Sequence, residues 1–196
     1  MAVIRSLCVF CGASDAVDAA YRDAATALGG MLAATGIELV FGGGRIGLMG
    51  LIATATAAGG GKVTGVIPRH LHQAEIGPRK PLGELHIVET MHERKALMFA
   101  RSDAIAVLPG GLGTLDETFE VLTWKQLGLH DKPIVLIDIA GYWAPLLRQL
   151  DAIVAAGFAP RSSLALMRIV ATPAEVLPLL AALPEPAIDP PNRFTS

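Results

Sequence analysis

Short apolar runs alternate with longer stretches of helical period along this chain. Residues 6–10, 37–41, 62–67, 85–88, 103–108, 133–137 and 169–171 are predominantly apolar and are bounded by glycine, proline or polar turns. Unbroken apolarity over so few residues suits strands covered on both faces. Between them the spacing predicts helices over 18–34, from the glycine run at 42–50 through Ala58, over 90–100, from Gly113 onward, over 141–156 and over 173–183. Gly36 and Gly157 stand where two of these should stop. Residues 69–83 show neither period and are polar, which predicts an irregular surface loop able to cover a site. Residues 184–196 hold four prolines and read as a tail along the surface.

Strands and helices in alternation predict an α/β fold. The expected architecture is a Rossmann-like, doubly wound parallel sheet with helices on both faces, one domain over residues 1–183 followed by the proline-rich tail. Ligands in such sheets bind beyond the carboxyl ends of the strands. Gly12 and the glycine turns at 42–47 and 110–113 each follow a predicted strand, so all three can line one crevice.

Composition narrows the partners. A net charge of −2 and a pI near 6.2 leave no basic footprint for nucleic acid or an anionic membrane surface. The apolar share of 52% and mean hydropathy of +0.50 exceed the usual soluble composition. Either the core is large for 196 residues or apolar surface is buried against a second copy. No apolar run reaches transmembrane length, because Arg45 and the neighbouring glycines interrupt the longest. The first five residues lack the layout of a signal peptide. Cys8 and Cys11 form a lone C-x-x-C, with Cys8 inside a predicted strand and no second pair to complete a zinc site. Both read as buried free thiols in a reducing cytoplasm. The five histidines show no metal-ligand pattern, and neither metal nor cofactor is expected.

Candidate chemistry concentrates in three stretches. From Asp103 to Trp124 the chain reads as strand, glycine turn and helix. Glycines let backbone approach a ligand closely, and the free N–H groups of a helix start attract anions, phosphate above all. Glu117 falls in the first turn of that predicted helix, where a carboxylate beside an anion is costly unless it has a task. Thr114-x-x-Glu117 equally fits a capping box, and the pattern alone leaves both readings open. Gly42-x-Gly44-x-x-Gly47 has the form of a dinucleotide fingerprint, but the next strand ends at Pro68-Arg69 with no carboxylate to hold a ribose. That turn reads as a phosphate or nucleotide cradle rather than an NAD site. No Walker A sequence is present, which argues against an NTPase. In the third stretch Arg94 projects between Met91, Leu97 and Met98 on a helical wheel, and a guanidinium on a partly apolar face needs an anionic partner. Thr90 and Glu93 form a second possible capping box.

Pro109-Gly110-Gly111-Leu112-Gly113-Thr114-Leu115-Asp116-Glu117 matches in full the PGGxGTxxE motif of the LOG ("lonely guy") family of cytokinin riboside 5′-monophosphate phosphoribohydrolases. Met91-His92-Glu93-Arg94-Lys95 resembles that family's MHxRK signature, and residues 42–50 resemble its GGGxxGLMG stretch beside the ligand pocket. The resemblance runs from Leu7 to about Phe158. It implies that Arg94 and Glu117 are the catalytic pair. It also implies a substrate-binding set of Lys95, Gly43, Gly44, Gly111, Leu112, Gly113, Thr114, Leu115 and Asp116. Thr123 matches a ligand-contacting threonine in the EVxTWxQLG run at 120–128, and Glu75 matches a family glutamate in a loop with a one-residue insertion.

The implied activity is hydrolysis of the N-glycosidic bond of an N6-modified adenosine 5′-monophosphate to free base and ribose 5-phosphate. The implied enzyme is a cytoplasmic homodimer with sites near the subunit interface and no cofactor. Folds of this type also include molybdenum-cofactor carrier proteins, which bind without cleaving. A carrier has no need of Arg94 together with Glu117. Lysine decarboxylase is a label some LOG relatives have carried, but no persuasive pyridoxal-phosphate site supports it.

Overall fold

Seven strands form one parallel sheet: β1 (Ser6–Phe10), β2 (Glu38–Phe41), β3 (Val63–Pro68), β4 (Glu84–Val88), β5 (Ala104–Val107), β6 (Ile134–Ile137) and β7 (Arg168–Val170). Their order is β4-β3-β2-β1-β5-β6-β7. The computed structural model describes residues 4–183.

Neighbouring residues on each strand feed opposite faces of the sheet. Leu7, Val9, Leu39 and Phe41 join one buried cluster with α1 (Ala19–Thr35), α2 (Gly47–Ala58) and α7 (Val176–Ala182). Cys8, Phe10, Val40 and Ile105 join the other, against α4 (Met91–Ala100), α5 (Leu112–Gln126) and α6 (Ala144–Ala155). Both faces are covered, which is why the strands carry unbroken apolar runs. The Rossmann-like sheet anticipated from the sequence is the one observed.

The chain builds outward from β1 to β4 on one side, then from β5 to β7 on the other. The reversal falls between β1 and β5, where Phe10 pairs with Val107. The segments leaving these two strands diverge and open a crevice at their carboxyl ends. Gly12 N–H donates to the Pro109 carbonyl at 3.0 Å and ties the two turns together at its base.

Local chemistry accounts for most boundaries. Gly36 closes α1 at φ 69°. Thr90 caps α4 by accepting from Glu93 N–H at 3.1 Å, while the Glu93 carboxylate accepts from Glu89 N–H at 2.8 Å, one residue beyond the usual return bond. Three expectations need correction. Residues 69–83 are not irregular throughout, because Arg69–Glu75 form α3. Two polar turns carry no apolar stripe to announce them, and their anchor is the fully buried Ile76 just beyond. The helix expected over 141–156 begins at Ala144, after a 3-10 turn in which Ala140 and Gly141 take φ of 53° and 73°. The helix expected over 173–183 opens as a 3-10 turn, Pro173–Glu175, before α7. The tail at 184–196 lies outside the described residues. Among the described residues no helix is long and apolar enough to cross a membrane.

Helices α1 and α2 meet at Gly29. A Cβ there would lie 2.5 Å from the Ile52 carbonyl oxygen and 2.9 Å from Ala55 Cβ, whereas one on Gly30 would meet nothing within 4 Å. Alanine is the better helix former by about 1 kcal/mol, but overpacking against backbone costs about 1–3 kcal/mol. Gly29→Ala should therefore lower the urea midpoint, and Gly30→Ala should raise it. Equal shifts for the two variants would show that α1 and α2 are free to separate.

Candidate active site

A cavity of about 440 Å³ opens where β1 and β5 diverge. The turn after β1 forms one wall, with Leu48 and Met49 of α2 beside it. The turn after β5, Glu117 of α5 and Tyr142 form another, and Glu75, Met91 and Arg94 complete the lining.

The glycine turn after β5 starts α5 without a side-chain cap. Gly111 is the N-cap and Leu112 the first helical residue. Thr114 and Glu117 therefore do not form a capping box, and Glu117 stands in the second turn rather than the first. Gly110 is glycine because a Cβ would collide with the Thr114 side chain. Gly111 and Gly113 differ: both line the cavity, neither has a positive φ, and a Cβ on either would meet no protein atom within 4 Å. Packing of the chain does not demand glycine there. What the missing side chains leave is room, next to N–H groups that a helix start leaves unpaired.

The second glycine run has a different task. Arg94 is buried, with 6% of its surface exposed. Its Nη2 donates to the Gly42 carbonyl at 2.6 Å and its Nε to the Val66 carbonyl at 3.2 Å. A Cβ on Gly42 would collide with the guanidinium. Gly43, at φ 77°, packs against Ile67 and Leu85, and Gly44 against Met49 and the Glu75 carboxylate. Gly42 thus makes room for Arg94 and Gly44 for Glu75, while Gly43 packs the turn onto β3 and β4; neither Gly43 nor Gly44 lines the cavity. The carboxylate nearest Arg94 is Glu75, whose Oε2 lies 4.0 Å from Nη2 and has no hydrogen-bond partner.

Glu117 is buried, and burial pushes its carboxyl up to about 7, against the opposing pull of the Arg94 guanidinium. Arg94 acts in the direction expected, but desolvation outweighs it. A carboxyl poised near neutrality can both take and give a proton at physiological pH. The two thiols are free and buried, and Cys11 lines the cavity. Among the described residues no three His, Cys, Asp or Glu side chains are grouped as a metal ion would need.

Helical geometry sorts the rest. At 100° per residue, Gly113 and Thr114 fall within about 60° of Glu117, while Leu112, Leu115, Asp116 and Thr123 lie about 100° or more away. Accordingly the first two line the cavity and the other four do not. Leu112 is 86% exposed. Leu115 packs against the second core cluster. Thr123 lines a separate groove with Phe119, Leu122, Leu150 and Phe158. Asp116 and Glu120 hold the buried Lys95, at 3.0 and 3.1 Å from Nζ, so Lys95 clasps α4 to α5 instead of lining the cavity. Burial works to lower the Lys95 pKa, but its bonds to the two carboxylates more than offset this and raise it. Tyr21 and Tyr142 line the cavity without having been singled out in the sequence. For Tyr142 the available signal was its place just past the carboxyl end of β6.

A family model described as possible lysine decarboxylase matches residues 49–180. The chain is 47% identical over 173 residues to a probable cytokinin riboside 5′-monophosphate phosphoribohydrolase, LOGL2, of Oryza sativa subsp. japonica, covering 88% of this chain and 70% of that one. It is 49% identical to the cytokinin riboside 5′-monophosphate phosphoribohydrolase LOG3 of Arabidopsis thaliana, covering 79% and 71%. Among solved structures, the molybdenum cofactor binding protein of Rippkaea orientalis superposes with a TM-score of 0.67 at 20% identity, covering 90% of this chain and 95% of that one. The molybdenum cofactor carrier protein of Chlamydomonas reinhardtii gives 0.66 at 21%, covering 91% and 98%. Identities this low speak to the fold alone.

The raised Glu117 pKa has a stability consequence. Between pH 4.5 and about 7 the folded state holds a proton that the unfolded chain has released. Stability from this group is therefore full below pH 4.5 and is lost as pH rises toward 7, by at most about 3 kcal/mol. Glu117→Gln removes the titration. The unfolding free energy of the variant relative to wild type should grow in the variant's favour across that range in urea titrations. A difference that stays flat from pH 4.5 to 8 would contradict the raised value.

Proposed function

The chain belongs to the LOG family of cytokinin riboside 5′-monophosphate phosphoribohydrolases, and from that premise we propose how its cavity carries out the reaction. The protein hydrolyses the N-glycosidic bond of an N6-modified adenosine 5′-monophosphate, releasing free base and ribose 5-phosphate. One observation carries this reading for the cavity: a buried carboxyl poised near neutrality and a buried guanidinium share it with glycines that leave space beside a helix start.

The phosphate sits at Gly111, Gly113 and Thr114, where unpaired N–H groups favour negative charge. The ribose then lies toward Glu117, Arg94 and Glu75. Cleavage passes through an oxocarbenium-like state, as in glycoside hydrolysis generally. The base leaves with the bonding electron pair and takes up one proton, balanced by the proton that the attacking water loses to Glu117 and that Glu117 afterwards releases to solvent. Water adds to the anomeric carbon and gives its proton to the Glu117 carboxylate, which also faces the developing positive charge. Arg94 binds the substrate and draws Glu117 toward its ionised form. Gly43 contributes by packing its turn onto Ile67 and Leu85, Gly44 by seating Glu75, and Lys95 with Asp116 by holding α4 on α5.

The family model's printed description points to lysine decarboxylation instead. A Schiff-base lysine must be neutral to react, and Lys95, next to Arg94, is held in its charged form by Asp116 and Glu120. A carrier role finds its support in the fold alone.

The protein is proposed to work as a homodimer in the reducing cytoplasm, to which its two free thiols are suited. Phe158 is 86% exposed, Leu127 and Leu129 are exposed just past the end of α5, and no residue of α6 is buried. Apolar surface of this kind calls for a cover. Leu112 and Thr123, which do not line this chain's own cavity, are exposed where a second copy can meet them, whereas Leu115 packs inward. Light scattering at micromolar concentration should give twice 20.4 kDa; the monomer mass would refute the dimer.

The decisive assay incubates the purified protein with AMP and with isopentenyladenosine monophosphate and follows free base. Glu117→Gln keeps the shape and removes the charge. In a sample shown to be folded, kcat should fall by roughly a hundredfold or more while AMP still binds. Arg94→Ala should be comparably damaging, and the double variant little worse than either single one. A Glu117→Gln enzyme with wild-type kcat would take Glu117 out of the chemistry, and wild type that binds AMP without releasing base would put the carrier reading first.

A further inference from the structure

Tyr142 reaches the glycine turn from an unexpected direction. It follows β6 through a corner in which Ala140 takes φ 53°, the one positive φ on a non-glycine among the described residues, and Gly141 takes 73°. A side chain in that region is strained, and such strain persists only where surrounding contacts over-determine it. Those contacts are present. Trp143 N–H donates to the Asp138 carboxylate at 2.7 Å, Asp138 N–H donates to the Val170 carbonyl at 2.8 Å, and the Trp143 ring is buried. The corner delivers the Tyr142 hydroxyl to the Gly110 carbonyl, to which it donates at 2.7 Å. The ring is held edge-to-face by Tyr21 at 5.5 Å and by Trp143 at 4.8 Å.

We propose that Tyr142 is a positioning residue for the phosphate subsite, acting by fixing the peptide between Gly110 and Gly111. This rests on the nucleotide reading of the cavity given above. The peptide is flanked by two glycines, so few steric barriers oppose its rotation. Pinning its carbonyl points the Gly111 N–H in the opposite direction within the peptide plane, since the two groups are anti across a trans peptide. With this bond every carbonyl of the turn is engaged: Pro109 accepts from Gly12 N–H at 3.0 Å, Gly110 from Tyr142, and Gly111 from Leu115 N–H at 3.0 Å. An incoming anion meets N–H groups and no free carbonyl oxygen. Without the hydroxyl, the Gly110 carbonyl is released to turn toward the cavity, where its negative end opposes a phosphate.

Tyr142→Phe removes the hydroxyl and keeps the ring with both edge contacts. Calorimetry with AMP and with inorganic phosphate should show both Kd values raised by a common factor of roughly 3 to 10, the usual worth of one hydrogen bond. KM for AMP should rise by a similar factor with kcat within about twofold, and the slow cleavage of adenosine should be unchanged. A purely structural strut would lower the urea midpoint and weaken adenosine and AMP turnover alike, which overturns the proposal. So does an unchanged phosphate Kd. If wild type binds AMP without cleaving it, the hydrolase reading fails, while weaker phosphate binding by Tyr142→Phe still upholds the role of Tyr142.

Discussion

Burying a guanidinium is the constraint on which the site depends. Arg94 loses its hydration at a cost that protein acceptors and a nearby counter-charge must offset. The fold supplies two carbonyl acceptors, Gly42 after β2 and Val66 on β3, and sets the Glu75 carboxylate of α3 as a counter-charge 4.0 Å from Nη2, beyond hydrogen-bond reach. Both donations require backbone to come against the side chain, and only a residue without Cβ allows it at position 42. The glycine run, the end of the sheet and the short helix α3 are thus parts of one receptacle. Once Arg94 is fixed, its charge stands near the buried Glu117 and limits how far desolvation can raise that carboxyl.

Neighbours in sequence then serve opposite ends of the same device. Arg94 faces the cavity while Lys95, one residue on, reaches back to Asp116 and Glu120 of α5. Asp116 in turn precedes Glu117, which faces the cavity. The clasp between Lys95 and α5 therefore sets the distance across which Arg94 and Glu117 act. Asp116 is well exposed, so water screens its half of the clasp, and the less exposed Glu120 is the better-shielded partner. The arrangement spends two charged residues on geometry so that the two beside them can be aimed.

The alternation of strands and helices, the two-sided core and a crevice at the strand ends were legible in the sequence, because each follows from local period and from glycine turns placed after apolar runs; the order of the strands came from the structure. Tertiary placement was legible only where a motif carried it. PGGxGTxxE located the turn and Glu117, yet the same letters suggested a capping box, and the N-cap proved to be Gly111. GGGxxG looked like a second phosphate cradle, yet its Gly42 seats Arg94, its Gly44 seats Glu75 and its Gly43 packs against Ile67 and Leu85. A glycine records that something comes close to the backbone. It does not record whether that something is a ligand, a side chain or another turn.

What the sequence determined by itself is periodic or short in range: strand and helix identity, the parallel sheet, the caps at Thr90 and Gly36, and the residue types available for chemistry. What the tertiary structure decided depends on groups far apart in the chain. Arg94 meets the Gly42 carbonyl across 52 residues, Lys95 meets Asp116 across 21, and Tyr142 meets Gly110 across 32. Helix α3 belongs to the same class, since it is anchored by one buried residue rather than by a stripe. Local propensity is written residue by residue, but the desolvation that raises Glu117 and the acceptors that permit a buried Arg94 exist only when distant segments close around them.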